Sequence, residues 1–301
     1  MRILISGSSG MVGTAVAARF RHEGHAVQRL VRPGKQPEAG DVRWDPVSGE
    51  MDRAAAEGAD ALVHLAGAPI AEGRWTNARK KLLRSSRVDA TRQLVNQLSK
   101  LARAPRVMVS ASASGYYGSR GDEVLTEESA PGSDFLAALT RDWEAEAGRA
   151  EQIGIRTVIL RFGVILSPSG GALARMLPPF RLGLGGRLSS GRQWVPWLSL
   201  PEAVGFIRHA IENSSLRGPI NAVAPSPVTN AEFTKILGKA LRRPTFFPVP
   251  AFGLRLLFGE MAEVVLLSSQ RMLPKKLLEL SYAFQHPELE PALRAVLSRT
   301  A

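Results

Sequence analysis

Small hydroxyl side chains and two phenols follow one another between Ser110 and Tyr117, where the sequence reads S-A-S-A-S-G-Y-Y. A serine can hydrogen-bond a carbonyl oxygen while a tyrosine gives or takes the proton, so the pattern suits carbonyl chemistry in which a hydride moves. We therefore predict that Ser112, Tyr116 and Tyr117 are catalytic residues. The alternative is that the serines and alanines pack a tight turn and the tyrosines lie in the core.

Three glycines spaced as G-x-x-G-x-x-G lie between a short apolar run, Ile3 to Ile5, and a predicted helix that begins at Met11. Glycine lets the backbone turn tightly and approach a pyrophosphate, and a helix N-terminus offers unpaired N–H groups to an anion. The pattern therefore predicts dinucleotide binding; the alternative is an ordinary connection without a ligand. The predicted cofactor-binding residues of this turn are Gly7, Ser8, Ser9, Gly10, Met11, Val12 and Gly13.

The end of the second predicted strand is basic. Arg32 stands there with Arg29 and Lys35 near it, and no acidic residue occurs between Glu23 and Glu38. An acid at this position would accept hydrogen bonds from ribose hydroxyls, whereas an arginine can bind a phosphate through two charge-assisted bonds. We therefore predict NADP(H) as the cofactor, with Arg32 binding its 2′-phosphate. The alternative is a solvated arginine in a turn.

Residues at the ends of the third, fourth and fifth predicted strands lie at the same edge of the sheet. Ligands of open α/β sheets bind at the carboxyl ends of the strands. Small side chains after the fourth strand leave space for the flat parts of a dinucleotide. Asp45, Leu65, Ala66, Gly67 and Ser110 complete the predicted cofactor-binding set.

Strands and helices alternate along most of the chain, which predicts an α/β fold with a Rossmann-type, doubly wound parallel sheet. Strands after the first are predicted at Ala26–Val31, Asp41–Pro46, Asp60–Gly67, Arg106–Ser110, Ile155–Phe162 and Pro219–Val223. Helices after the first are predicted at Met51–Glu57, Asn77–Leu101, Ser133–Gln152, Pro201–Asn213, Asn230–Leu241 and Leu289–Leu297.

The domain organisation is predicted from the sequence after Gly163, where the regular alternation of strands and helices stops. We predict that residues 1–165, with a return near 196–225, form an NADP-binding Rossmann domain. Residues 166–195 and 226–301 would form a smaller, mostly helical substrate lobe with a C-terminal helical extension. The stretch from Ser167 to Trp194 is rich in glycine and proline, and we interpret it as a loop that covers the site or as a plain surface excursion.

Composition limits the possible classes of protein. The chain of 301 residues is 45% apolar, enough for a sizeable core, and contains no cysteine, which excludes disulfides and thiolate catalysis. Five scattered histidines predict no metal site. The first strand begins at Arg2, and the most apolar later segment, Leu254 to Leu267, is interrupted by charges. We therefore expect a cytoplasmic protein without a membrane partner.

The formal net charge of +12 raises the question of nucleic-acid binding. The main basic cluster, Arg74 to Arg92, contains no aromatic residue after Trp75 for base stacking. The next long helix carries Asp142, Glu144 and Glu146, so these helices could neutralise each other within one subunit or across a two-fold axis. We expect a small-molecule substrate, no nucleic acid and a homodimer.

Several longer motifs carry a resemblance to a known family. They are G-x-x-G-x-x-G, L-A-G at 65–67, S-A-S-A-x-G-Y-Y-G at 110–118, L-R-x-G-V-x-L-S at 160–167 and P-x-N-A-x-A-P at 219–225, together with G-R-W-T at 73–76, R-D-W-E at 141–144, M-L-P-P-F-R-L-G-L-G-G at 176–186 and V-P-A-F at 249–252. Over essentially its whole length the chain resembles an extended or atypical short-chain dehydrogenase/reductase. More narrowly, it resembles the NAD(P)-dependent epimerase-like family whose members are described as sugar-nucleotide epimerases or cell-division inhibitors. The segment from about Thr245 resembles the family's C-terminal helical extension.

The resemblance makes Ser112 the match to the superfamily's catalytic serine, and it also shows departures. The superfamily's Tyr-x-x-x-Lys pair falls on Phe135 and Leu139, and no lysine occurs between Lys100 and Lys235. An asparagine of the superfamily appears as Arg87.

Two functions follow from this pattern. The first is an NADP(H)-dependent epimerase or oxidoreductase that acts on a sugar nucleotide or another carbonyl or hydroxyl substrate. In that enzyme Arg141, or an arginine of the helix at 79–87, would supply positive charge. The second is a non-catalytic dinucleotide-binding protein with a regulatory or redox-sensing role.

Overall fold

The computed structural model describes residues 1–298, and its centre is a parallel sheet of seven strands. The described residues form thirteen strands in all, seven of them in this sheet and the other six in three separate pairs. They are β1 (Arg2–Ser6), β2 (Ala26–Val31), β3 (Val42–Arg43), β4 (Ala61–His64), β5 (Val107–Ala113), β6 (Val124–Leu125), β7 (Arg156–Phe162), β8 (Val164–Leu166), β9 (Trp194–Val195), β10 (Trp197–Ser199), β11 (Gly218–Ala222), β12 (Val228–Thr229) and β13 (Arg271–Met272). The order in the sheet is β11-β7-β5-β4-β1-β2-β3. The chain thus builds outward from β1 in one direction and then from β4 in the other, so the point of reversal lies between β1 and β4.

Helices cover both faces of this sheet. They are α1 (Met11–His22), α2 (Arg53–Ala56), α3 (Asn77–Arg84), α4 (Ala90–Leu98), α5 (Phe135–Gly148), α6 (Gly171–Arg181), α7 (Leu200–Glu212), α8 (Asn230–Leu241), α9 (Ala251–Phe258), α10 (Lys275–Glu279) and α11 (Leu289–Ser298). The predicted Rossmann-type fold is confirmed.

Alternation along the strands directs side chains into two cores. Ile3 and Ile5 of β1 pack with Phe20 of α1 and with α7 on one face, while Leu4 packs with Leu94 of α4 on the other face. All of these side chains are buried. The period of two in the strands and the helical spacing of the covering residues therefore agree, as a doubly wound sheet requires.

One predicted long helix contains a local irregularity. α3 and α4 are joined by a π-helical turn at Ser85–Asp89, so the helix runs from 77 to 98. Its arginines meet the acidic side chains of α5 within the chain, since Arg84 lies 2.7 Å from Asp142 and Arg92 lies 2.7 Å from Glu146.

The interpretation of residues 167–194 as a loop was wrong for their first half, which forms α6. Pro178 and Pro179 lie inside this helix and concealed it in the sequence, because proline normally ends a helix. Leu173, Leu177 and Phe180 are nevertheless spaced for one face and are buried in a third core. That packing holds the helix despite its prolines.

The third core joins α6 to the C-terminal part of the chain. Phe233 and Leu237 of α8 and Leu293 of α11 pack in it. β13 pairs with β6, next to the predicted catalytic segment. The boundary between a Rossmann domain and a substrate lobe stays a prediction. In the described residues, no helix is both long and apolar enough to cross a membrane.

Candidate functional site

The glycine turn after β1 touches the turn after β4. Gly7 has a φ of +69°, and a Cβ built on it would lie 2.7 Å from the carbonyl carbon of Leu65. A Cβ on Gly13 would lie 2.2 Å from the carbonyl oxygen of Gly7. Any side chain at either position would collide with backbone, so these glycines allow the two turns to meet at the reversal point of the sheet.

The N-terminus of α1 faces the same turn with free donors. The N–H of Gly10 closes the turn on the Gly7 carbonyl at 3.0 Å, whereas the N–H groups of Met11 and Val12 have no acceptor among residues 1–298. Gly10, the N-cap, supplies no side-chain cap, and the first turn carries no acid. Ser8 is half-buried and Ser9 is exposed beside these donors. The arrangement suits an anion such as a pyrophosphate.

A buried polar chain links this turn to α5. The Ser6 hydroxyl accepts hydrogen bonds from the N–H groups of Leu65 (3.1 Å) and Ala66 (3.3 Å) and lies 2.7 Å from Nδ1 of His64. Ser6 therefore donates its own proton to His64 Nδ1, which places the ring hydrogen on Nε2. Nε2 then donates to Thr91 Oγ1 at 2.9 Å.

The far end of this chain is Trp143, whose Nε1 also donates to Thr91 at 3.0 Å. Burial lowers the pKa of His64 to about 4, so the ring is neutral at neutral pH. Sequence analysis missed this network, although a histidine at the end of the apolar strand β4 was a visible signal.

A cation lies against the predicted cofactor residues after β4. A Cβ built on Gly67 would lie 3.1 Å from the guanidinium carbon of Arg87, and Arg87 donates to the carbonyl of Ala68 at 2.9 Å. Burial, with a contribution from the charge of Arg79, lowers the pKa of Arg87 to about 10. No carboxylate pairs with Arg87 in the part of the chain that the structure describes. This positive charge suits an anionic group of a cofactor or substrate.

A basic cavity of about 810 Å³ lies beside the ends of β2 and β3. Its cationic lining residues are Arg32, Lys35, Arg43, Arg53 and Lys100. In residues 1–298 these five cations form no ion pair with a carboxylate. Asp45 also lines the cavity, and Val47 N–H and the Ser48 hydroxyl donate to its carboxylate at 2.9 Å. Its pKa is lowered, mainly by the hydrogen bond from Val47.

Arg29 does not join this cavity. Its guanidinium lies 2.5 Å from Asp41 and 3.0 Å from Glu38. Arg29 lies near Arg32 in the sequence, but carboxylates that lie 9 and 12 residues later in the chain neutralise its charge. Arg43, which is next to Val31 in the sheet register, was missed; its exposed position after a buried valine was the available signal.

Ser112 lies in a buried ionic cluster. Its hydroxyl donates to Glu144 Oε1 at 2.6 Å, and Glu144 also accepts from Arg161 Nε at 2.9 Å and Nη2 at 2.8 Å. Burial would lower the pKa of Arg161, but the hydrogen bonds and charge of Glu144 outweigh it, and the pKa is raised. Ser110 lies two residues before Ser112 in β5. It is fully buried, and its hydroxyl donates to the Ala111 carbonyl at 3.2 Å. Each serine hydroxyl thus uses its proton within the chain, and a ligand could reach it only as a hydrogen-bond donor.

The two predicted tyrosines differ sharply. Tyr117 is fully buried; its hydroxyl donates to Asn221 Oδ1 at 2.6 Å and accepts from Arg161 Nη1 at 2.8 Å. Burial raises the pKa of Tyr117 to about 12. Tyr116 is partly exposed, and its ring centre lies 3.5 Å from the guanidinium carbon of Arg161. No hydrogen bond occupies the Tyr116 hydroxyl within residues 1–298. Tyr117 is therefore the buried, hydrogen-bonded member of the pair and Tyr116 the partly exposed one, and the catalytic role of each stays a prediction.

Glu144 and Arg161 were not recognised as site residues from the sequence. Arg161 interrupts the otherwise apolar end of β7, I-L-R-F, and that charge was a usable signal. Arg141, by contrast, is more than half exposed beside Asp142. Phe135, the match to the superfamily tyrosine, lies under Lys80, whose Nζ is 5.0 Å from the ring centre and 2.5 Å from Glu260.

These features define a dinucleotide-binding α/β protein of the Rossmann type: the reversal of strand order between β1 and β4, the glycine turn packed there, and the free donors of α1. Comparison with family models then identifies the group. Residues 3–222 match the NAD dependent epimerase/dehydratase family, and residues 249–296 match a domain of unknown function, DUF1731. The chain belongs to the NAD dependent epimerase/dehydratase family and carries this second domain, as its resemblances predicted.

Known relatives span the whole chain. An epimerase family protein of Mycobacterium bovis is 42% identical over 299 residues, covering 99% of this chain and 98% of the relative. The crystal structure of human epimerase family protein SDR39U1 (isoform 2) with NADPH has a TM-score of 0.89 at 34% identity and covers 99% of both chains. The structure of a nucleoside-diphosphate sugar epimerase from Corynebacterium glutamicum has a TM-score of 0.81 at 37% identity and covers 99% of this chain and 58% of that one.

Proposed function

We propose that the chain binds NADP(H) across the β1–β4 reversal point and works as an epimerase or oxidoreductase on a carbonyl or hydroxyl group. The observation that carries the proposal is the packing of Gly7 against Leu65 beside the free donors of Met11 and Val12. The pyrophosphate would lie on these donors. NADPH in the human relative's structure supports the choice of cofactor.

The basic cavity supports the preference for a 2′-phosphate. Arg32 follows β2 directly, and Arg43 lies next to Val31 in the register of β2 with β3. Both are exposed cavity residues without an ion pair to a carboxylate in the described chain. A guanidinium can bind a phosphate through two parallel charge-assisted bonds. We therefore propose that Arg32, with Arg43 beside it, binds the 2′-phosphate while Asp45 lies toward the adenosine.

Tyr116 is the group that we assign to proton transfer. The cofactor supplies or accepts a hydride, and a tyrosine hydroxyl near the substrate oxygen can move the matching proton. The stacking of Arg161 on Tyr116 at 3.5 Å fixes the ring, and Glu144 holds Arg161 in place. Ser112 completes that support through its bond to Glu144, so we assign it a positioning role.

We propose a sugar nucleotide as the substrate class. This choice rests on the nucleoside-diphosphate sugar epimerase among the similar structures and on Arg87, a cation with no carboxylate partner within residues 1–298 beside Gly67. A diphosphate would provide the missing negative charge. We also propose a cytoplasmic location and a homodimer formed through α3, α4 and α5.

Isotope transfer tests this function. The protein is incubated in one reaction with NADPH that carries deuterium at the reactive carbon and a panel of carbonyl compounds. In a second reaction it is incubated with NADP⁺ and nucleoside-diphosphate sugars deuterated at the reacting carbon, because a sugar hydroxyl must first give its hydride to the oxidised cofactor. Mass spectrometry is expected to find deuterium in the alcohol formed in the first reaction, or in the epimer or the reduced cofactor of the second, and Tyr116→Phe is expected to slow the transfer by about 10²–10⁴-fold. Tight NADPH binding without transfer to any compound would instead favour the second function.

That second function is a non-catalytic, regulatory or redox-sensing dinucleotide-binding protein. Two observations favour it: the Ser112 hydroxyl is already bonded to Glu144, and Phe135 and Leu139 stand at the positions that the resemblance gives to the Tyr-x-x-x-Lys pair. Measurements of thermal stability with NADPH and with NADP⁺ would then show whether the protein distinguishes the two redox states.

A further inference from the structure

The structure exposes large apolar side chains on two neighbouring segments, at 182–184 and 246–257. Seven residues, each between 60 and 83% exposed, form what we term the apolar surface: Leu182, Leu184, Phe246, Phe247, Phe252, Leu256 and Leu257. Single exposed apolar residues are normal on proteins, but a group of this size marks an interaction surface.

Backbone contacts hold the two segments side by side. Val249 N–H donates to the Arg187 carbonyl, and Ser189 N–H donates to the Val249 carbonyl, both at 2.8 Å. A Cβ built on Gly186 would lie 1.6 Å from the Phe247 carbonyl oxygen, so only glycine permits this approach. The first segment and the start of the second are therefore neighbours, and α9 follows the second segment directly at Ala251.

α9 contributes an amphipathic element to the apolar surface. Leu254 is buried beneath the helix, whereas Phe252 and Leu256, four residues apart, point outward and are 74% and 64% exposed. Phenylalanine and leucine exposed on one side of a helix are the side chains that enter a membrane interface, and α9 presents them on the side away from the core.

The rim of the apolar surface is positively charged. Arg181 and Arg187 flank the first segment, and Arg242 and Arg243 precede the second; all four are exposed. None of them forms an ion pair with a carboxylate among the residues that the structure describes. The nearby acids are already paired, Glu263 with Arg255 at 2.8 Å and Glu260 with Lys80 at 2.5 Å.

We propose that the apolar surface docks the protein on an anionic lipid bilayer, with phenylalanine and leucine side chains inserted and the four arginines among the headgroups. A second copy fits less well, because a two-fold contact would bring the same arginines face to face. Anionic lipids attract juxtamembrane arginines, and apolar insertion adds to that attraction. This proposal differs from the expectation from the sequence that the chain has no membrane partner, and it is independent of the proposed reaction.

Vesicle cosedimentation of the full chain tests the proposal. The protein is expected to sediment with vesicles of equal parts phosphatidylglycerol and phosphatidylcholine and to remain in solution with phosphatidylcholine alone. Phe246→Ser combined with Phe252→Ser, and separately Arg242→Ala combined with Arg243→Ala, should each weaken binding by about tenfold or more. Val47→Ser, which changes a side chain that is 86% exposed elsewhere, is the matched control and should bind like the unmodified protein.

Circular dichroism and NADPH binding confirm that each variant is folded. Equal binding to both kinds of vesicle, no binding, or unchanged binding in the variants would overturn the proposal. So would a concentration-dependent dimer that the phenylalanine variant abolishes, or retention of an acidic protein without vesicle binding, because the surface would then serve a protein partner.

Discussion

The hydroxyl of Ser112 donates a 2.6 Å hydrogen bond to Oε1 of Glu144, and the same carboxylate binds Arg161. The guanidinium in turn stacks on Tyr116 and bonds Tyr117. Both charges are buried, with exposed side-chain fractions of 10% for Glu144 and 3% for Arg161. The predicted catalytic serine is thus bonded to a buried ion pair whose arginine contacts both tyrosines.

Glu144→Gln should destabilise the protein strongly. It leaves the buried Arg161 without its charge partner, and breaking a buried pair in this way costs about 3–5 kcal/mol. Urea denaturation measures the free energy of unfolding. The matched control is Glu146→Gln, which removes the partner of the half-exposed Arg92 and Arg149 and should cost less than about 1 kcal/mol for each pair. Similar small losses in both variants would contradict the structural role of the cluster.

Tyr117→Phe should lower the stability of the protein, whereas Tyr116→Phe should lower the rate of the reaction. Tyr117→Phe leaves Asn221 Oδ1 without its 2.6 Å donor in a buried site and should lower the free energy of unfolding by about 1–3 kcal/mol. Tyr116→Phe removes a hydroxyl without a partner in the described structure and should preserve stability, while it lowers the rate of deuterium transfer by about 10²–10⁴-fold. Denaturation and isotope transfer together check this, and a slow but stable Tyr117 variant would reverse the assignment.

The elements that depend on local pattern could be predicted from the sequence, while the contacts that depend on distant residues could not. The spacing of Gly7, Gly10 and Gly13 alone predicts a dinucleotide-binding turn, and the structure places these glycines at the reversal point of the sheet. The pairing of Arg29 with Asp41 and Glu38 could not be predicted, because a loop brings these carboxylates back to β2 and no sequence pattern indicates that return.

The predicted catalytic segment also depends on contacts with distant residues that its own sequence does not reveal. A serine in S-A-S-A suggests a free hydroxyl, yet Ser112 faces α5, whose Glu144 lies 32 residues later. Which of two adjacent tyrosines is buried depends on the helical turn at Ser114–Tyr117 that follows β5 and on Asn221, which is 104 residues away. Helix α6 was missed because its prolines give a strong local signal that only tertiary packing overrides.

Acidification should destabilise the protein through His64. The pKa of this buried ring is lowered from 6.5 to about 4, so between these pH values the unfolded state binds more protons than the folded state. The stability that the neutral ring contributes is therefore complete above pH 6.5 and is lost as the pH falls toward 4, by about 3 kcal/mol in all. Urea denaturation from pH 7 to pH 4.5 measures it.

The matched comparison uses two histidine variants. His64→Gln should flatten the dependence of stability on pH in that range, whereas His22→Gln, at an exposed position of α1, should leave the dependence unchanged. An equally steep dependence in the His64 variant would show that other groups cause the loss.

The preference of the site for NADPH over NADH tests the central claim most directly. Fluorescence titration of both reduced cofactors is carried out on the unmodified protein, on Arg32→Ala, on Arg43→Ala and on the control Arg106→Ala, which changes a side chain that is 89% exposed. At about 1.5–3 kcal/mol for a hydrogen bond to a charged group, Arg32→Ala should weaken NADPH by about ten-fold to over a hundred-fold. NADH binding should be unchanged, with a smaller NADPH loss in Arg43→Ala and none in the control. Equal affinities of the unmodified protein for both cofactors, or no loss in Arg32→Ala, would contradict the account.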